Sequence, residues 1–163
     1  MNEHNYNTAE KKDALVKFLR EQYGWDVQDA KYIGRGRIDV YDGDSPNGEV
    51  FFVGTDFEAD EECRRQIRED LWAFNPEFLA DHIYAYEEMD TQRGRDAFVK
   101  HLGEMLSDMC EDANEVVFAL IGCNEGFAEL AEDAMEADGR AHFLASYDGE
   151  EIDIGGGYFA FRQ

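Results

Sequence analysis

Residues 55–83 read TDFEADEECRRQIREDLWAFNPEFLADHI, two helices in series carrying the densest aromatic group of a chain crowded with carboxylates. Thr55 with Glu58 three residues on forms a capping box, in which hydroxyl and carboxylate satisfy each other's backbone N–H groups, so a helix starts there. Ala59, Cys63, Ile67, Leu71 and Phe74 then recur at three- and four-residue steps, one apolar stripe that must be covered. Asn75-Pro76 ends this helix and opens the next, because Asn caps well and Pro at the first helical position loses no needed donor. Phe78, Leu79 and Ile83 continue the buried face. Trp72 and Phe74 flank the junction, and at least one should be largely buried against Phe78 or Leu79.

Working outward, residues 7–23 form an amphipathic helix with Asn7 and Glu10 spaced as a cap, Ala14, Leu15, Phe18 and Leu19 inward, and Gly24 as its stop. Residues 31–41 and 49–55 are expected as two strands, on Ile38, Val40, Val50, Phe51, Phe52 and Val53. Between them, residues 42–48 (DGDSPNG) invite a calcium reading, since Asp42 and Asp44 have the spacing of the first EF-hand ligands. Pro46, Asn47 and Val53 occupy positions where a ligand, a glycine and a bidentate glutamate are needed, which favours a hairpin turn. A helix with Asp90 or Thr91 as cap should run to about Met109, with Phe98, Leu102, Met105, Leu106 and Met109 inward. Residues 116–121 lean to helix. Residues 124–138 form the clearest helix, capped by Asn124, stopped at Gly139, with Phe127, Leu130, Ala131 and Ala134 facing the core. The remainder alternates around Asp148-Gly149 and is expected as a closing hairpin, with a bulge or bend at residues 155–157. The expectation is α+β: one domain over residues 1–163, helices packed on antiparallel hairpins.

At 163 residues the chain is large enough to bury about 70% of its unfolded surface without staples. Its net charge of -23 disfavours direct contact with nucleic acid or an anionic membrane and points to a basic protein as partner. Cys63, Cys110 and Cys123 are odd in number and lack C-x-x-C pairing, which argues against a disulfide framework or a zinc site and fits a reducing cytoplasm. No signal-peptide core or membrane-length apolar run occurs, and no cofactor is implied.

The pieces GTDFEAD (54–60), LWAFNPEFLADH (71–82) and ADGRAHFLASYDGEE (137–151) resemble an uncharacterised family of small acidic proteins of bacteriophages and prophages. The resemblance implies a mobile-element origin and a bacterial cytoplasm, and it transfers no catalytic or binding residue.

The acid is ordered. Glu125, Glu129, Glu132 and Glu136 fall within about 60° of one another on their helix, opposite its apolar stripe. Glu104 and Asp108 do the same on the preceding long helix, extended by Glu111 and Glu115 only if that helix continues past Cys110. Neither line is expected to meet a compensating lysine or arginine. Like charges so spaced cost a helix about 0.2–0.5 kcal/mol per pair, so the rails gain nothing locally. One explanation is mimicry of a phosphate backbone: a compact chain is roughly 40 Å across, and a duplex of that length carries about 24 charges. Partner-binding residues would then be Glu104, Asp108, Glu125, Glu129, Glu132 and Glu136, and the partner a basic, nucleic-acid-binding protein such as a host defence factor. Two further explanations are a merely solvated face and salt adaptation, the latter suited to five lysines against ten arginines and 38 acids. A fourth is enzymatic. Asp138, Arg140, His142, Tyr147, Asp148 and Glu150 gather an imidazole, a guanidinium and carboxylates in a short stretch, enough for a small hydrolase or metal-dependent enzyme. No H-E-x-x-H, G-x-S-x-G or Walker loop supports it.

Overall fold

The computed structural model describes residues 7–43 and 47–163. In chain order the elements are α1 (Thr8–Tyr23), β1 (Val27–Gly34), β2 (Arg37–Asp42), β3 (Glu49–Gly54), α2 (Asp56–Glu69), α3 (Pro76–Ala80), α4 (Tyr84–Glu87), α5 (Gln92–Met109), α6 (Ala113–Leu120), α7 (Cys123–Asp138), α8 (Arg140–Leu144), β4 (Glu151–Gly155) and β5 (Tyr158–Arg162). Short 3-10 turns cover Leu71–Ala73 and Cys110–Asp112. The fold is α+β. The chain divides into two compact units, Met1–Cys63 with Asp138–Gln163, and Arg64–Ala137, the boundary falling inside α2.

The first unit holds a five-stranded sheet of order β1-β2-β3-β5-β4 in which every pairing is antiparallel. Leu15 and Leu19 of α1 bury against Val27, Ile38, Val40, Phe51, Val53, Ile154, Tyr158 and Ala160, all from one face. Fully burying a side chain of this size contributes about 1.5–3 kcal/mol, which makes this cluster the main support of the unit. Phe52 and Phe161, cross-strand partners with ring centroids 6.0 Å apart, occupy the opposite face. The Thr55 capping box forms, Thr55 N–H donating to Glu58 and Glu58 N–H to the Thr55 hydroxyl. Glu58 also accepts from Lys11 Nζ at 2.7 Å, which ties α1 to α2.

Two expectations about strands are corrected. The strand expected over 31–41 is two, because Arg35 (φ 49°) and Gly36 (φ 72°) supply the paired positive φ of a two-residue hairpin turn. The hairpin expected around Asp148-Gly149 turns instead at Gly156 and Gly157 (φ 66° and 80°), and residues 140–144 are helical. Strand β4 is therefore short and begins only at Glu151. The bulge expected near residue 155 is present as a register shift between Asp153 and Gly155. Asn7 precedes α1 without capping it through its side chain, whereas Gly24 closes that helix as expected. Of the 42–48 turn, residues 44–46 lie outside the described residues.

The second unit is helical. Ile67 and Leu71 continue the stripe of α2 into full burial, though the helix ends at Glu69 rather than near Phe74. Asn75 caps α3 by accepting from the Glu77 N–H, and Thr91 caps α5 by accepting from the Gly94 N–H at 3.1 Å. Phe74 stacks on Phe78 with centroids 5.6 Å apart, but both Trp72 and Phe74 stay half-buried. Residues 113–120 are helical, as the apolar run suggested. Helix α7 starts at Cys123, so Asn124 lies within it and does not cap it.

Candidate functional site

The acidic face of α7 is built by burying its other side. Leu130, Ala131 and Ala134 are fully enclosed, and Phe127 meets Phe118 of α6 at 5.9 Å. The corner between α6 and α7 is sharp: Gly122 and Cys123 both take positive φ, 92° and 56°. Glu125, Glu129, Glu132 and Glu136 consequently point to solvent, all exposed. None of the four has an ion-pair partner among the described residues. Residues 101–139 contain eleven acidic side chains and neither Lys nor Arg. From residue 125 to 136 the helix rises about 16 Å, a length over which one DNA strand carries about five phosphates. Four carboxylates on one line come close to that density.

The second rail is different. Glu104 meets Lys100 at 3.8 Å and His101 at 2.8 Å, so the expectation of no compensating cation fails there. These exposed pairs are worth little in water, yet they dilute the field. Asp108 is exposed and carries no ion pair among the described residues. The rail does not extend to Glu111 and Glu115. Helix α5 breaks at Cys110, whose φ of 51° and ψ of -131° leave the helical region, and Glu115 pairs with Arg68 at 2.7 Å. A cleft of about 730 Å³ beside Arg68 is lined by Glu69, Asp70, Glu111, Asp112, Asn114 and Glu115, so it too is acidic.

Among the described residues no hydrogen bond or ion pair between side chains joins the C-terminal residues of the enzymatic alternative to one another. Arg140, at the start of α8, donates to Asp56 Oδ1 at 2.7 Å and Asp60 Oδ1 at 3.0 Å on α2, and forks onto Glu151 at 2.5 and 3.1 Å. The Glu151 hydrogen bond outweighs burial and raises Arg140 above its already high ordinary value, so the guanidinium is a permanent cation. Its partners are neither Asp138, Asp148 nor Glu150, and it does not close the end of α7. His142 is exposed on α8 and edges onto Phe143 at 4.9 Å. Asp148 accepts from the Glu150 N–H at 3.1 Å, a local turn contact, while Tyr147 lies under the Arg162 guanidinium at 3.9 Å. Sequence reasoning missed Asp56, Asp60 and Glu151 as partners of Arg140. The only hint was the pair Asp56 and Asp60 on one face of the first turns of α2.

Among the described residues no group of three or more His, Cys, Asp or Glu could hold a metal ion, and no helix is long and apolar enough to cross a membrane. No family model, curated protein or solved structure matches the chain.

Proposed function

We propose that this is a non-enzymatic interaction protein of a mobile element, acting in the bacterial cytoplasm, whose α7 face presents carboxylates in place of phosphates to a basic, nucleic-acid-binding host protein. One observation carries this reading: Glu125, Glu129, Glu132 and Glu136 are exposed in line, in a segment without Lys or Arg. A solvated face needs no such alignment, and the repelling pairs have a local cost. A long, one-signed line of charge attracts a basic groove over distances up to about a Debye length, which grows as salt falls, and raises the association rate. Inhibition of a defence or DNA-binding factor would follow from occupying its DNA groove.

The test replaces Glu125, Glu129, Glu132 and Glu136 with Gln. Gln is nearly isosteric and a good helix former, so the fold should be kept. The wild-type protein should capture a basic protein from a bacterial lysate, and duplex DNA should compete for it. The four-Gln variant should bind that protein far more weakly, with a shallower dependence of log affinity on log salt. Unchanged binding at every salt concentration would remove this face as the contact surface.

A further inference from the structure

His82 lies just beyond α3, its side chain only 9% exposed and its ring against that of Phe78, centroids 4.9 Å apart. Both ring nitrogens face oxygen. Nδ1 stands 2.9 Å from the Phe78 carbonyl oxygen, and Nε2 stands 3.0 Å from Oδ2 of Asp133 on α7. The Phe78 carbonyl is among those at the end of α3 that the helix itself leaves without a donor. The backbone N–H of His82 turns to Leu79 O at 3.1 Å instead.

A carbonyl oxygen accepts and never donates, so Nδ1 must carry hydrogen to bond Phe78. An ionised carboxylate also only accepts, so Nε2 must carry hydrogen to bond Asp133. A neutral imidazole has one N–H and an imidazolium has two. We infer that His82 is a proton-operated clasp: as imidazolium it joins the end of α3 to α7, and on losing one proton it keeps Nδ1–H on the Phe78 carbonyl and releases Asp133, whose half-exposed carboxylate turns to water instead. Asp133 is the charged group its ring meets among the described residues. Helix α5, which packs against α3, contributes no bond to it, and the adjacent Asp81 is exposed. His101 and His142 are exposed and have no such enclosure.

The clasp holds the helix that bears the acidic face, and its charge faces Asp133, a helical neighbour of Glu129 and Glu136. It stands independently of any partner, because every group in it belongs to this chain. The bridge needs both ring N–H groups, so it belongs to the imidazolium and is lost with its proton.

A double-mutant cycle with His82→Gln and Asp133→Asn tests it, using urea unfolding of the full chain at pH 5.5 and 8.5. At pH 5.5 the two residues should be coupled about five- to tenfold in the unfolding equilibrium constant, falling to within about twofold of unity at pH 8.5. Equal coupling at both pH values, or none at pH 5.5, overturns the clasp. Should His82→Gln fail to fold, the ring protons of the wild-type protein decide by NMR at pH 5.5. Both Hδ1 and Hε2 should be visible in slow exchange with water, Hε2 disappearing in Asp133→Asn. A single visible ring proton, or an Hε2 indifferent to Asp133→Asn, overturns it.

Discussion

A methyl group on Gly126 would stand 1.5 Å from the carbonyl oxygen of Ile121. The first turn of α7 thus runs against the backbone that leaves α6, with no room for any side chain. Helix propensity alone favours Ala over Gly by about 1 kcal/mol. Here sterics wins, because the obstructing atom is backbone and cannot rotate aside. Gly126→Ala is expected to destabilise by about 1–3 kcal/mol in urea unfolding. A stabilised variant would mean that the α6–α7 corner is looser than described.

Arg140 draws Asp56, Asp60 and Glu151 together. Removing it leaves three mutually repelling carboxylates around a half-enclosed gap. Arg140→Met should cost about 2–3 kcal/mol, below the 3–5 of a fully buried pair because Asp56 is largely solvated. Arg140→Lys should recover only part, since an ammonium cannot fork onto Glu151. Chemical denaturation of both variants checks this, and a full rescue by Lys would show that charge alone suffices.

Glu58 carries a pH signature. Burial pushes its carboxyl up, but the bonds from Lys11 and Thr55 together prevail and leave it below its ordinary value. A carboxyl depressed in the folded state contributes stability above its unfolded pKa of about 4.3, and that contribution is lost as pH falls through the folded value. Lys11→Met should therefore flatten the loss of stability below about pH 4 while lowering stability at pH 7. Urea midpoints between pH 3 and 7 measure both effects.

Salt separates mimicry from salt adaptation. With a net charge of -23, the folded chain repels itself unless screened. Thermal melts should show it already folded at about 0.1 M salt, where the Debye length is about 10 Å. A protein that folds only near molar salt would make its acidity an adaptation to the environment.

Three helix starts were legible in the sequence because capping is local, Thr55, Asn75 and Thr91 each acting within three residues, whereas the caps expected at Asn7 and Asn124 do not form. The outward set of α7 was legible from its period. Residues 140–144 were not, since five residues with one alternation fit strand and helix alike, and only the surrounding contacts decide. The turn at Arg35-Gly36 was hidden because arginine is not the residue a positive φ advertises. The bonds of Arg140 to Asp56 and Asp60 cross 84 and 80 residues, so the sequence showed that the two carboxylates share a helix face but not which cation they meet.

Strand β5 lies between β3 and β4, so the neighbour that β3 requires is a strand made about a hundred residues later. On a ribosome, β1, β2 and β3 emerge with the outer edge of Phe51, Phe52 and Val53 unpaired until about a hundred further residues have been added. At ordinary synthesis rates that interval is roughly 5–20 s. During it an apolar strand edge is open to any other extended chain. Newborn copies thus expose an apolar strand edge that the finished protein, with its net charge of -23, keeps paired.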